Sequence, residues 1–417
     1  MKNNVYSNEE YIFNIIKKTT TIEDKINCYQ NYESIDYSYL EEWKGKKSLI
    51  NKKIFNYELD NLGYSLDQFS YGVSPLKKEK INSIRKQDWV NMFLEVMSNF
   101  DIKDLRLCTE NKISISYAPF LQYVSKKIDS ILNKFPDINI PVYERKNMVD
   151  MFNLSLLSIV GKVMIIEINN FRKKHNFKTK DSKEQLIECL NIYFESEKNF
   201  LDFYRKYAVC TKLLCMRTEY FVNNFEFMLS AIENSKNEIK KLLNIEKINI
   251  EKLNFSAGDS HEKGKSVVIL TIDSKKIVFK PKNLDVCKKF ENFIRWVNTD
   301  MNLLEIKFPR GVYEKEYAFQ EWIEVEECNN EKEVADFYER FGYLSAISYI
   351  LSGTDFHYEN IIANGQFPVI VDGETFFQNP PKIKVEGGIE ELVQRELMFD
   401  SVLSSALFPQ YTNGVQT

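Results

Sequence analysis

The sequence predicts an α+β protein, and three observations carry that prediction. Before about residue 245, apolar residues recur at three- and four-residue spacing with few glycines. From about Ile248 the period drops to two, and near residue 330 a long helical pattern returns. The 417 residues therefore divide into a helical N-terminal region, 1–245, a β-rich region, 246–328, and a helical region, 329–417.

Within the first region, the opening up to Tyr71 is rich in Tyr and Asn and is less regular. Trp89, Met92, Phe93, Val96 and Met97 then form one apolar stripe, and Phe221, Phe225, Met228, Leu229 and Ile232 another. Pro136 and Pro141 bracket a break between helical segments. In the second region, Val267–Ile272 reads as a strand, Asp273-Ser274-Lys275 as a turn, and Ile277–Lys280 as the returning strand. A helix is expected over 284–297 and a strand over 317–325. Asn330-Glu331-Lys332-Glu333 has the form of a capping box. The helix it opens carries Val334, Phe337, Phe341, Leu344, Ile347 and Leu351 on one face and stops at Gly353. Ile361–Ala363 and Val369–Val371 then pair as a hairpin, with Asn364-Gly365 in the connecting loop.

Composition narrows the function classes. Hydrophobic residues make up 44% and charged residues 28%, an ordinary globular balance. A net charge of −4 gives no reason to expect a nucleic-acid partner; Lys173-Lys174 and Lys240-Lys241 read as solvated helix faces. No uninterrupted apolar run suggests a transmembrane segment, and the N-terminus lacks a signal-peptide core, so a cytoplasmic protein is expected. The seven cysteines are odd in number and include no C-x-x-C pair, which speaks for reduced thiols.

The chemistry concentrates late in the chain. Thr354-Asp355-Phe356-His357-Tyr358-Glu359-Asn360 is followed, after the hairpin, by Val371-Asp372-Gly373-Glu374-Thr375. An Asp, an Asn five positions on, a hairpin and an Asp-Gly is the order in which kinase active sites are written. Read that way, Asp355 accepts the proton of the attacking hydroxyl, and Asn360 and Asp372 offer hard oxygens to Mg²⁺ beside the phosphates of ATP. Lys280, ending its strand, is suited to the α- and β-phosphates. The run Lys280-Pro281-Lys282 leaves Lys282 as the alternative, and Glu291 on the next helix is a candidate partner for the lysine. Gly258 and Gly264 flank a polar loop before the first strand that matches neither G-x-G-x-x-G nor a P-loop; Asp259 and His261 in it suggest a job beside nucleotide binding. Each element has a structural alternative: a D-x-x-x-x-N arises by chance, a single His is more often a hydrogen-bonded structural residue, and a strand-end Lys can sit in solvent. Their joint order favours a nucleotide-phosphate site, with a β-rich lobe and a helical lobe meeting at the reactive residues.

These residues resemble the dehydratase region of class II lanthipeptide (lantibiotic) synthetases of the LanM type. The likeness rests on Gly258–His261, Val278–Lys282, Thr354–Asn360 and Val369–Thr375, then on Arg395-Glu396-Leu397, Ser401-Val402-Leu403 and Leu407-Phe408-Pro409-Gln410. It covers about 250–411 specifically and the helical half only in general. It implies a lipid-kinase-like bilobal fold behind a helical N-terminal region. It also implies ATP- and Mg²⁺-dependent phosphorylation of Ser and Thr in a leader-bearing precursor peptide, then elimination of phosphate to dehydroalanine or dehydrobutyrine. On this likeness Lys280, Asp355, His357, Asn360 and Asp372 serve phosphorylation, and Asp259 and His261 lie beside the phosphate. Two departures are visible: Gly373 replaces a bulky aliphatic, and the chain stops 45 residues after Asp372, leaving the C-terminal lobe incomplete. A fragment or split-gene product is expected, with the remaining dehydratase and cyclase part as a separate chain. The competing expectation is a catalytically inactive scaffold that binds a peptide or a partner; a kinase unrelated to peptide natural products fits the Gly258–His261 wording less well.

Overall fold

The computed structural model describes residues 9–30, 34–46, 51–80, 88–107, 112–177, 180–255, 262–378, 388–390, 392–393 and 401–408. It is a mixed α+β structure, as the periodicity predicted, and it separates into two compact units, 1–134 with 145–225 and 135–144 with 226–417.

The first unit is built from helices α1 (Glu9–Thr19), α2 (Ile22–Ile26), α3 (Ser38–Lys46), α4 (Lys52–Asn61), α5 (Leu66–Val73), α6 (Asp88–Ser98) and α7 (Ala118–Leu132). Two capping boxes open short helices, Thr21 with Asp24 on α2 and Ser65 with Gln68 on α5. The expected stripe Trp89, Met92, Phe93, Val96 and Met97 is buried along α6. The core is aromatic: Phe93, Phe120, Phe200 and Phe203 ring Tyr204, whose hydroxyl donates to the Ser116 carbonyl at 3.0 Å. Buried phenols keep their polar ends satisfied in this way.

After α7 the chain breaks at Pro136 and Pro141, enclosing strand β1 (Ile138–Asn139). Helices α8 (Val142–Arg172), α9 (Ser182–Tyr193), α10 (Glu197–Lys206), α11 (Ala208–Asn234) and α12 (Lys236–Leu243) follow. Among the described residues, α8 is long and apolar enough, by length and composition, to cross a membrane. Asp150 and Lys162 interrupt its apolar run, which is why no such stretch stands out in the sequence. Met148, Phe152, Leu156, Val160 and Met164 form a buried row at every fourth residue, whereas Leu154, Ile165 and Ile166 are exposed. Glu167 near its end is buried and accepts hydrogen bonds from Tyr193 at 2.5 Å, from Lys206 at 2.8 Å and from Tyr207.

The second unit carries a six-stranded sheet in the order β1-β2-β3-β4-β6-β5. Strand β2 is Ile248–Asn254, β3 Val268–Ile272, β4 Lys275–Lys280, β5 Gly311–Tyr313 and β6 Ala318–Glu321. All pairs are antiparallel except β1 with β2. Asp273 and Ser274 both have positive φ, 46° and 63°, so the β3–β4 turn is the two-residue type that matches strand twist. The strand expected over 317–325 is shorter, because pairing stops at Glu321.

Helix α13 (Asp285–Asp300) buries Cys287, Phe290, Ile294 and Val297. Helix α14 (Glu331–Ile350) opens on Asn330, whose side chain accepts from the Glu333 amide at 3.0 Å. The return half of the expected capping box is displaced: Glu333 accepts from the Asn329 amide at 2.7 Å. Of the predicted face, Leu344 is buried and Phe341, Ile347 and Leu351 pack partly buried, but Val334 is exposed. Sequence reading overlooked Arg340, which is buried and donates to the Glu305 carbonyl at 2.7 Å and the Gln366 carbonyl at 3.1 Å. Strands β7 (Ile361–Asn364) and β8 (Phe367–Ile370) form the expected hairpin. Asn364 is still paired, with Phe367, so the loop is Gly365-Gln366, and Gly365 takes a φ of 58°.

Candidate active site

The sheet ends its fourth strand on a lysine that cannot reach bulk water. Along β4, Phe279 packs against Tyr317 and Phe319, and Lys280 beside it is only 7% exposed. A buried ammonium needs partners. Lys280 Nζ donates to the Val371 carbonyl at 3.0 Å and to Asp372 Oδ1 at 3.2 Å, from 92 positions away. Next to it, Lys282 pairs with Glu374, both side chains about a third exposed, so this pair contributes at most about 1 kcal/mol.

Asp372 follows β8 directly, and the hairpin also positions the Thr354–Asn360 loop. The Val371 amide donates to the Asn360 carbonyl at 3.0 Å. Asn360 Nδ2 donates to the carbonyl of Asp355 at 2.7 Å, closing the loop on itself and leaving the carboxamide oxygen outside that bond. Asp355 adopts a φ of 65°, a conformation that non-glycine residues hold only when their surroundings enforce it. Its carboxylate lies 3.6 Å from His357 Nε2, and the His357 Nδ1 accepts from the Glu359 amide at 3.3 Å. The Asp355 side chain is exposed and that of His357 about a third exposed.

Beneath both loops runs an aromatic floor. Phe356 and Phe376 are buried with centroids 4.7 Å apart, and Phe376 stacks on Phe290 of α13 at 3.9 Å. Gly353 and Gly373 border it: a Cβ on Gly353 would lie 2.5 Å from the Phe356 ring, and one on Gly373 3.3 Å from Phe308. Cys287 is buried under the same site; desolvation pushes its thiol up to about 11, with Lys280 pulling the other way, so it is inert at neutral pH.

The structure thus brings together Lys280 and Asp372, and, through backbone bonds, the loops of Asp355, His357 and Asn360 with the loop of Asp372. Glu291 goes elsewhere: its carboxylate takes Arg295 at 2.8 Å and the Gly311 amide at 3.2 Å, and Asp372 holds the lysine in its place. Lys282 is paired with Glu374 rather than buried beside Lys280. Gly264 sits after the loop in a left-handed turn with φ 74°, while Gly258, Asp259 and His261 lie outside the described residues. Of the downstream motif residues, Leu407 is buried in the same cluster as the aromatic floor, and Arg395 to Leu397 and Pro409-Gln410 lie outside the described residues; between the motifs, the Ser405 carbonyl accepts from the Phe356 amide at 2.9 Å. Among the described residues, no group of three His, Cys, Asp or Glu could hold a metal. A cleft of about 280 Å³ opens in the first unit, lined by Lys17, Lys25, Tyr39, Glu42 and Trp43, and contains none of the expected site residues.

A mixed α+β unit whose strand-end lysine is held by an Asp-Gly loop, beside a D-x-x-x-x-N loop, defines the class to which the chain should be compared. Residues 207–417 match the family described as a domain of unknown function, DUF4135, and the chain belongs to that family. The chain is also similar to the lacticin 481/lactococcin biosynthesis protein LcnDR2 of Lactococcus lactis subsp. lactis, with 26% identity over 272 residues. That match covers 62% of this chain and 29% of the relative. Together these matches bear out the resemblance to LanM-type lanthipeptide synthetases that the motifs suggested.

Proposed function

We propose that this chain phosphorylates Ser and Thr residues of a leader-bearing precursor peptide in lanthipeptide biosynthesis, using ATP and Mg²⁺, as the kinase-like portion of a dehydratase. The observation that carries the reading is the 3.2 Å contact between Lys280 and Asp372, two residues that a kinase-type site needs at the same phosphates and that lie 92 positions apart in the chain. The donor set suits the cofactor: a carboxylate at Asp372 and a carboxamide oxygen at Asn360 are hard ligands, and Mg²⁺ in phosphoryl-transfer sites takes one or two protein oxygens besides phosphate and water. That few-ligand habit agrees with the lack of a three-residue metal cluster among the described residues. Mg²⁺·ATP supplies the electrophilic phosphoryl group and neutralises its charge.

The residues of this chain do the remaining work. Lys280, held by the Val371 carbonyl and Asp372, presents its ammonium to phosphate oxygens. Asp355 accepts the hydroxyl proton as the oxygen attacks, and His357 at 3.6 Å steadies the carboxylate that does so. Phosphate leaves far more readily than hydroxide, so phosphorylation makes the following β-elimination accessible; we assign that elimination to the complete family enzyme, with Asp259 and His261 beside the phosphate. The reading includes a lipid-kinase-like bilobal arrangement, with 246–328 as its β-rich lobe and 329–417 as part of the second, behind a helical region 1–245, in a cytoplasmic protein that works with the cyclase part of the system.

Incubation of the chain with Mg²⁺·ATP and the precursor peptide encoded beside it tests this by mass. Gain of phosphate supports the reading and loss of water extends it to full dehydration. An unchanged peptide sinks it in favour of an inactive peptide-binding scaffold.

A further inference from the structure

We propose that Thr375 is a positioning residue that holds Asp355 in its working conformation, an inference that rests on the phosphotransfer reading above. The hydroxyl of Thr375 donates to the carbonyl of Thr354, and the Thr354 amide donates back to the Thr375 carbonyl at 3.2 Å. Two further bonds continue the seam, from the Phe377 amide to the Leu351 carbonyl at 2.8 Å and from the Gln378 amide to the Ser352 carbonyl at 3.2 Å. Residues 375–378 therefore lie against 351–354, joining the loop that carries Asp372 to the loop that carries Asp355.

The seam is a strained one. Ser352, Asp355 and Phe377 all have positive φ, at 49°, 65° and 61°, a conformation that non-glycine residues hold only where their surroundings enforce it. The Thr354 carbonyl belongs to the peptide plane about which the φ of Asp355 turns. A hydrogen bond that pins this plane restrains the φ of Asp355 and so the direction in which its side chain leaves the backbone. Of the four bonds, only that of the Thr375 hydroxyl comes from a side chain, so it alone can be removed without altering the backbone. The aromatic floor of Phe290, Phe356 and Phe376 holds the loops at the right depth but does not orient this plane.

The test compares the full chain with Thr375→Val, which keeps the shape and loses the hydroxyl, and Thr375→Ser, which keeps the hydroxyl. Misplacing a proton acceptor by an ångström costs about 10²-fold in rate. Thr375→Val is expected to lower kcat for phosphopeptide formation by about 10- to 100-fold. The KM for ATP and the calorimetric Kd for Mg²⁺·ATP should stay within about twofold, because the bonds from Lys280 to the Val371 carbonyl and to Asp372 do not involve Thr375. Thr375→Ser should restore most of kcat. Equal kcat in wild type and Thr375→Val overturns the inference and leaves the phosphotransfer reading standing. A wild type that neither binds Mg²⁺·ATP nor forms phosphopeptide removes both. Hydrogen exchange on the wild-type chain gives a check free of any variant: segments 352–356 and 375–378 should open together. Fast exchange in 375–378 with 352–356 still protected overturns the clamp.

Discussion

Lys280 shows how one side chain can be decided by its surroundings. A lysine ending an exposed strand costs nothing, but this one is buried and survives because a carbonyl and a carboxylate satisfy it. Asp372 keeps 30% of its side chain exposed and can be resolvated when the ammonium is removed. Lys280→Met is therefore expected to lower kcat for phosphoryl transfer by at least about 10²-fold. Its stability should fall by only about 1–2 kcal/mol, since the carboxylate left behind still reaches water. Steady-state kinetics beside urea denaturation separates the two effects. Gly353 is the converse case, chosen for what it lacks. Gly353→Ala places a methyl 2.5 Å from the Phe356 ring and should destabilise by about 1–3 kcal/mol, seen as a lower urea midpoint at unchanged slope. A variant as stable as wild type would mean that the Phe356 ring moves freely.

At the scale of elements, the β3–β4 hairpin delivers Lys280 and the β7–β8 hairpin delivers Asp372. The first turns on Asp273 and Ser274, both at positive φ without being glycine. Ser274→Gly relieves one of these at φ 63° and is expected to raise stability by about 0.5–1 kcal/mol, measured as a higher melting temperature. Since the substitution does not touch the site, phosphotransfer should not change. A drop in stability would show that the freedom glycine adds to the unfolded chain outweighs the turn strain it relieves, since the backbone amide at 274 that donates to Glu251 at 3.3 Å is kept. The cap on α14 works in the same register: Asn330 satisfies the Glu333 amide, while Glu333 reaches back one residue further than a capping box does.

At the scale of the whole molecule, the buried Glu167 ties stability to pH. Burial alone would raise the Glu167 carboxyl, but hydrogen bonds from Lys206, Tyr193 and Tyr207 more than offset it and hold it below the usual glutamate range. A group whose folded pKa is depressed binds more protons unfolded, so its stabilisation is present above the unfolded value and lost as pH falls through the folded one. Once the pH drops below the ordinary glutamate value of about 4.3, the melting temperature of the wild type should accordingly fall more steeply than that of Glu167→Gln. Parallel curves would remove Glu167 from the acid transition.

Much of this was legible in the residues. The change of period near 245, the Trp89–Met97 stripe, the β3–β4 turn and the D-x-x-x-x-N loop before a hairpin are local patterns, and local patterns are written in spacing. What could not be read was pairing at a distance. Glu291 was the candidate partner for Lys280; α13 instead turns it toward Arg295 and Gly311, and Asp372, expected only as a metal ligand, meets the lysine. Likewise α8 hides its apolar character behind two charges, Arg340 carries no motif to announce it, and Thr375 ends the Asp-Gly motif with no sign there that its hydroxyl reaches Thr354. The sequence alone determined which residue types and which turns were available, because backbone preference and hydrophobic period act over a few neighbours. The tertiary structure decided which of them meet, because a buried charge or hydroxyl takes whichever partner the folded chain brings within about 3 Å.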